Sequence, residues 1–439
     1  MKKLELIFIP LPGLGHLKSA TECARHLLDR DERLSITFIV ILPPSSTTYT
    51  KSPPTSDSRI KYTYIPAATP NSQPSPSLSL EKLTTLFIEW HKSHVEKVVM
   101  DLLSDDSTHL VGFVLDMFCS CMIDVANKFK VPSYIFFVSS IAYLGFLLHL
   151  PLLHKQLQDG VDFNPSDNQD LVIPSYKNPL PANLLPDSVF DKTNGGYEAF
   201  LYHATRFHES KGIIVNSFEN LEPYAVNSMK SHAYPTVYPI GPLLNHNSHN
   251  QSTEIKNWLD KQPLNSVLFM CLGSRGTFNQ PQIDQIATAL LRSGQRFLWS
   301  IRKPPKNKFE TPTDYTTYEK ILPDGFLERV KERGMVCGWV PQVEVLAHGA
   351  VKGFVNHCGW NSLLESMCML GLGVELSLTY RGGESELVMA DEIERAVNRL
   401  MDDGNPVREK VKKISEESRK ALINGGSSCV VIGKLTEDI

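Results

Sequence analysis

Residues 339–366 read WVPQVEVLAHGAVKGFVNHCGWNSLLES, and the polar and aromatic groups in this stretch have a coherent chemistry. Trp339 offers a flat ring for stacking on a base, with the Val340 backbone beside it. Gln342 and Glu365 carry groups suited to ribose hydroxyls. His357, with Asn361 and Ser362 at the start of a helix, suits phosphate oxygens, because backbone N–H groups and the helix dipole favour anions there. Together they suit a uridine diphosphate. A competing reading stays open for one pair: Ser362-x-x-Glu365 is also the pattern of a capping box. His348, Cys358 and Trp360 read as packing residues that hold the loop, Trp360 within the nucleotide-binding set.

Two further polar residues sit beside apolar runs. His16 follows the run LELIFIPL in PLPGLGHLKSA, where Pro12, Gly13 and Gly15 turn the chain. A histidine at such a place has the near-neutral pKa of a general base; the bland alternative is a residue of a helix start with no chemical role. Asp116 ends the strand pattern VGFVLD, and capping of the following MFCSCMID segment is its structural alternative. A third place, CLGSRGTF at 271–278, follows a strand pattern and precedes a helical one. Small residues there expose backbone N–H groups and hydroxyls to a phosphate.

Other motifs are weaker. PLPGLGHL lacks the third glycine of a dinucleotide fingerprint, and SITFIVIL ends without an acidic residue for a ribose, which argues against a nicotinamide enzyme. Asp29-Arg30-Asp31 spells DxD but lies in the charged end of a helix pattern, so it reads as a solvated face, and no metal site emerges.

The elements that must position these groups are legible from periodicity. LELIFIPL, SITFIVIL, VGFVLDMF and PSYIFFV are solid apolar strands separated by helical patterns such as KSATECARHLLDR and MIDVANKFK. Such alternation predicts a parallel sheet covered on both faces. A second set begins near residue 264 with NSVLFMCLG, PQIDQIATALLRSG, QRFLWSIR, GMVCGWV and KGFVNHCG, and the final helix pattern is VREKVKKISEESRKALING. The expected class is α/β with two Rossmann-like doubly wound domains, 1–240 and 261–420, joined by a linker at 241–260 and followed by a tail at 421–439 that packs back on the first domain. Segments 43–59, 66–80 and 175–196, rich in Pro, Ser and Thr or in turn residues, read as surface loops.

Bulk properties narrow the function classes. With 439 residues, 42% apolar and 21% charged, the chain is a globular protein with room for sizeable cores. A formal charge of −4 without a basic block argues against a nucleic-acid partner. The eight cysteines form no CxxC pair and no zinc spacing; buried free thiols in a reducing compartment are expected, hence the cytosol. Residues 131–153 are long and uncharged enough to span a bilayer, but Pro132, Ser139, Ser140, His149 and Pro151 interrupt them. A buried strand, PSYIFFV, and a buried helix, SIAYLGFLLHL, explain them better. Glu5 and two prolines likewise break any signal-peptide pattern at the start.

The 339–366 stretch closely resembles the signature box of plant family-1 UDP-sugar glycosyltransferases, W-x-P-Q-x-x-V-L-x-H-x-x-x-G-x-F-x-x-H-C-G-W-N-S-x-x-E-S, at every fixed position of that part of the pattern. The resemblance implies a GT-B fold, with two doubly wound domains facing a cleft, and inverting transfer of a sugar, with glucose the one expected, from a UDP-sugar to a hydroxyl of a small apolar acceptor. Flavonoids, phenolics and terpenoids are the implied acceptor classes, and the implied protein is a monomer with no cofactor and no metal. It implies that His16 deprotonates the acceptor and that Asp116 hydrogen-bonds and orients His16. It further implies that Gly273, Ser274 and Thr277 approach the phosphates. Trp339 would stack on uracil, Val340 would pair with its edge, and Gln342 and Glu365 would hold the ribose. His357, Asn361 and Ser362 would meet the diphosphate. Phe118, Tyr143, Phe146 and the loop around Leu184 are expected to line an acceptor pocket.

This chain departs from the family after Ser366. The family continues with a strand and a loop bearing Asp/Glu-Gln, which binds the sugar hydroxyls; here MCML leads directly into GLGVELSLTYRGG. The missing length is roughly twenty residues, one strand plus one helix of a parallel α/β unit. GLGVEL either takes the vacated strand position or the sheet closes with one strand fewer. The alternative functional expectation follows: a catalytically impaired relative that binds UDP without a donor-sugar subsite. A smaller departure is Val138, where many relatives carry a Thr, with Ser139 or Ser140 as substitutes.

Overall fold

The computed structural model describes residues 3–43, 57–68, 74–158, 170–230, 234–244, 253–305, 310–369 and 387–439. The chain divides into two units, Met1–Leu243 with Lys420–Ile439, and Leu244–Arg419.

The first unit is built on a parallel sheet. β1 (Lys3–Ile9), β2 (Leu34–Ile41), β3 (Ile60–Ile65), β4 (Thr108–Asp116) and β5 (Ser133–Phe137) are followed by a two-residue ribbon, β6 (Asp170–Leu171) with β7 (Leu180–Pro181), and by β8 (Gly212–Val215) and β9 (Thr236–Pro239). The order is β3-β2-β1-β4-β5-β8-β9, with every neighbouring pair parallel. Successive side chains point to opposite faces. Ile7, Ile9, Ile39 and Ile41 therefore enter one buried core, while Leu6, Phe8, Phe38 and Val40 enter the other. That is why these strands read as unbroken apolar runs.

Helices α1 (Leu14–Leu28), α2 (Leu80–Glu89), α3 (Lys92–Leu103), α4 (Ile123–Lys128), α5 (Ile141–Gln158), α6 (Gly196–Phe207) and α7 (Pro223–Lys230) accompany this sheet. Ser79, at the end of a stretch read as plain loop, caps α2 by accepting a hydrogen bond from the Lys82 N–H at 3.1 Å. The 131–153 stretch is β5 at the sheet interior followed by α5, and no helix among the described residues is long and apolar enough to cross a membrane. α5 runs past Pro151, where the sequence pattern had placed its end. Leu147, Leu148 and Leu150 before the proline are buried, and this packing carries the helix through the lost backbone donor.

The second unit contains β10 (Val267–Met270), β11 (Arg296–Ser300), the ribbon β12 (Arg302–Lys303) with β13 (Thr313–Asp314), β14 (Gly334–Cys337) and β15 (Val351–Val355). Among the described residues its main sheet has four parallel strands in the order β14-β11-β10-β15. Helices α8 (Thr253–Leu259), α9 (Gln280–Ser293), α10 (Phe326–Val330), α11 (Gln342–Leu346), α12 (Trp360–Met369) and α13 (Ala390–Met401) surround it, and α14 (Val407–Leu422) runs across the unit boundary. The GLGVELSLTYRGG segment, on which the rearranged-strand expectation turned, lies outside the described residues.

The 241–260 stretch is not a free linker over its described length. Leu243 is buried in the first unit's core, and Ile255 and Leu259 of α8 are buried in the second unit's. The last helix, α15 (Ser427–Asp438), buries Ile432 and Leu435 in the same core as Phe8 and Phe38. Its end is tied down where Tyr134 donates to the Asp438 carbonyl at 2.8 Å and Tyr238 donates to the Asp438 carboxylate at 2.6 Å.

Candidate functional site

Each sheet reverses its strand order once, and in open parallel sheets ligands bind outside the carboxyl ends of the strands at such a point. In the first sheet the reversal lies between β1 and β4. β1 leads through Gly13 into α1, which carries His16 in its first turn, and β4 ends on Asp116. The adjacency of two parallel strands thus unites residues one hundred positions apart: His16 Nδ1 and Asp116 Oδ2 are separated by 2.7 Å. Asp116 is 1% exposed. Gly13 is extended, with φ −176°, so the turn itself does not demand a glycine there.

Both readings of Asp116 hold at once, through different oxygens. Oδ2 faces the imidazole, while Oδ1 accepts the Phe118 N–H at 3.2 Å and caps the short 3-10 helix Met117–Met122. That cap fixes the carboxylate plane. A proton held on Nδ1 by the carboxylate makes Nε2 the basic nitrogen of a neutral imidazole.

In the second sheet the reversal lies between β10 and β15. The loops that follow these two strands meet at His357. Gly273 has φ +70°, and a Cβ on it would stand 2.6 Å from His357 Cε1; a Cβ on Gly359 would stand 2.3 Å from His357 Nε2. The ring is therefore wedged between two glycines. Desolvation there lowers the His357 pKa from its ordinary value, although the residue as a whole is exposed. Ser274 and Arg275 are exposed on the same loop and Thr277 is half-buried.

Gln342 opens α11 and reaches across to α12. Its Nε2 donates to Ser362 Oγ at 3.0 Å and to Glu365 Oε2 at 2.5 Å. This decides the open question about Ser362-x-x-Glu365. α12 begins at Trp360, with the Leu363 N–H bonded to the Gly359 carbonyl, so Ser362 is an interior residue and not a cap. The pair faces Gln342 instead of the helix's own N–H groups. Asn361 and Trp360 stand in the first turn of α12, where the positive end of the helix dipole lies. Val340 is buried at 4% exposure, whereas Trp339 is 41% exposed.

Other expected members fall elsewhere. Phe146 is fully buried and its ring packs against Tyr143 at 5.9 Å between centroids, so it is a core residue and not a pocket wall. Phe118 is partly buried and meets the His203 ring edge-on at 5.4 Å. Ser140 accepts the Tyr143 N–H at 3.1 Å and so acts as a cap for α5. His348 is held by Asp260 at 3.0 Å and accepts the Ala350 N–H at 3.1 Å, a turn clamp. Asp31 of the DxD triplet is paired with Arg33 at 2.6 Å, and among the described residues no group of three His, Cys, Asp or Glu side chains could hold a metal ion.

Sequence reading passed over His203. It is buried between Ser120, 2.7 Å from Nδ1, and Thr85, 2.8 Å from Nε2, and burial pulls its pKa down to about 3. A histidine this hard to protonate is a structural hydrogen-bonding hub.

Comparison with known proteins identifies the family to which the chain is related. The family described as UDP-glucoronosyl and UDP-glucosyl transferase matches residues 181–375. A UDP-glycosyltransferase of Stevia rebaudiana is 42% identical over 481 positions, covering 100% of this chain and 99% of that one. A UDP-glucose flavonoid 3-O-glucosyltransferase of Fragaria ananassa is 41% identical, with 100% and 99% covered. Among solved structures, a Medicago truncatula glycosyltransferase complexed with UDP-glucose superposes with a TM-score of 0.85 at 40% identity, covering 99% of this chain and 98% of that one. A Siraitia grosvenorii transferase in complex with UDP gives 0.84 at 38%, with 99% of each chain covered. The Stevia alignment runs over 481 positions against 439 residues here, so at least 42 of its positions (481 minus 439) fall opposite gaps in this chain.

Proposed function

Because the chain belongs to the plant family-1 UDP-dependent glycosyltransferases and has their GT-B fold class, we propose that it transfers glucose from UDP-glucose to a hydroxyl of a small apolar acceptor, with inversion. The observation that carries this reading is the contact of His16 with the buried Asp116 at 2.7 Å. His16 Nε2 takes the acceptor proton as the acceptor oxygen bonds to the anomeric carbon. The bond from that carbon to the UDP oxygen breaks in the same displacement, and its electron pair leaves on the diphosphate. One displacement inverts the centre. Asp116 stabilises the imidazolium that forms.

The leaving group is received at the second unit's switch point. Trp339 stacks on uracil, Val340 pairs with its edge, and Gln342 and Glu365, already bonded to each other, hold the ribose. Gly273, Ser274, Thr277, His357, Asn361 and Ser362 surround the diphosphate, whose charge the first turn of α12 offsets without a metal. A flavonoid acceptor and UDP-glucose are favoured by the name of the Fragaria relative. Eight free cysteines favour a reducing compartment, the cytosol.

The chain's shortness against its relatives favours a second reading, a UDP-binding protein without a donor-sugar subsite. The experiment is detection of a glucoside by mass spectrometry after incubating the purified, folded protein with UDP-glucose and a flavonol, beside calorimetric titration with UDP and with UDP-glucose. Product, with UDP-glucose bound at least as tightly as UDP, supports transfer. UDP binding without product, and without any gain from the sugar, supports the second reading and sinks the first.

The phosphate loop makes a sharper expectation. Gly273→Ala places a Cβ in a left-handed backbone conformation costing about 1–2 kcal/mol and drives it against His357 Cε1. UDP affinity falls by about tenfold or more by calorimetry. Wild-type affinity in this variant would show that the loop does not approach the phosphates.

A further inference from the structure

The peptide group joining Gly338 to Trp339 is held at both of its polar atoms by side chains from outside the 339–366 stretch. Ser300, at the end of β11 and 5% exposed, donates its hydroxyl proton to the Gly338 carbonyl at 2.6 Å. Asp314, on β13, accepts the Trp339 N–H through Oδ1 at 3.0 Å. The carboxylate also lies directly over Gly338: a Cβ there would stand 2.3 Å from Asp314 Cγ and 2.6 Å from each carboxylate oxygen. Asp314 is in turn held by Arg302, its cross-strand partner in the ribbon, whose Nε lies 2.7 Å from Oδ1 in an ion pair. The Arg302 guanidinium also donates to the Pro312 carbonyl. Trp339 itself is 41% exposed, and the direction in which its side chain leaves the chain is set by the backbone that carries it.

We propose that Ser300 and Asp314, the latter steadied by Arg302, form a two-point clamp on the 338–339 peptide that presets Trp339 for the nucleobase. They are positioning residues, acting through the backbone that carries Trp339. The proposal rests on the reading of Trp339 as the uracil platform. A pinned peptide plane lowers the ordering cost of binding, so removing the clamp weakens UDP while the chemical step, at the other unit's His16, keeps its rate constant.

The test is calorimetric titration of the full chain with UDP, for wild type, Asp314→Ala, Asp314→Asn, Ser300→Ala, Trp339→Ala and the double variant Asp314→Ala/Trp339→Ala, each shown to be folded by near-ultraviolet circular dichroism. Losing a hydrogen bond to a charged, partly solvated acceptor weakens UDP about fivefold in Asp314→Ala. Asp314→Asn keeps an oxygen for the Trp339 N–H and recovers most of that loss. On the Trp339→Ala background the Asp314 substitution has no further effect, because residues acting through one group are not additive. If Trp339→Ala weakens UDP but Asp314→Ala and Ser300→Ala bind like wild type, the clamp is overturned alone. Equal losses from Asp314→Ala with and without Trp339 overturn it too. If Trp339→Ala itself binds UDP like wild type, the uracil platform fails and the clamp falls with it. Should Asp314→Ala not fold, Ser300→Ala with Trp339→Ala decides by the same logic.

Discussion

His16→Ala is expected to lower kcat by about 10²–10⁴-fold, the usual contribution of a positioned general base, with UDP affinity unchanged. His16 stands in the first turn of α1, and its Nδ1 faces a carboxylate buried at 1% exposure. No residue of the 339–366 stretch lies in the same unit. Steady-state rates at saturating donor and acceptor, beside a UDP titration, separate the two effects. Equal loss of turnover and UDP binding would sink the base assignment, because a base acts on the acceptor proton and not on the nucleotide. Where the protein binds UDP without turnover, the same titration still shows whether His16 is independent of the nucleotide.

Asp116→Asn should cost nearly as much, about 10²–10⁴-fold in kcat, by presenting the wrong partner to Nδ1. The two oxygens of Asp116 make the experiment specific. An Asn oxygen at the Oδ1 position keeps the Phe118 N–H and hence the cap on Met117–Met122. The amide nitrogen then faces His16 Nδ1, which favours the tautomer with the proton on Nε2, where a base needs a lone pair. Thermal stability should stay close to wild type. Asp116→Ala should lose the turnover and also about 1 kcal/mol from the cap. If Asp116→Asn turns over like wild type, Asp116 is a cap and nothing more, and the dyad has no catalytic meaning.

Much of this protein was legible before any tertiary information. Apolar runs such as SITFIVIL and VGFVLD gave the parallel strands, since a strand buried on both faces cannot alternate apolar with polar residues. α1, α9 and α14 followed from their helical periodicity. α2 and α6 were not among the patterns read, although both carry an apolar face; they begin where the loop-like segments 66–80 and 175–196 end, and they pack on each other and on the 3-10 helix at Met117–Met122. Pro151 marked a helix end in the sequence, but the buried leucines before it anchor α5, which runs on to Gln158.

The residue types alone determined the chemistry on offer: an indole, amide and carboxylate groups for hydroxyls, a histidine beside small residues, and a histidine after the first strand. Which job each group performs was decided by the tertiary structure. Ser362 and Glu365 fit a cap by spacing, yet Gln342 arrives from another helix and takes both. Asp116 fits a cap or a partner for His16 by position, and strand adjacency made it both. Asp314 carried no signal at all, because its value lies in a ribbon that lays it over Gly338. A hydrogen bond belongs to two groups at once, and a sequence names each group without its neighbour. The order of strands in a sheet supplies that neighbour.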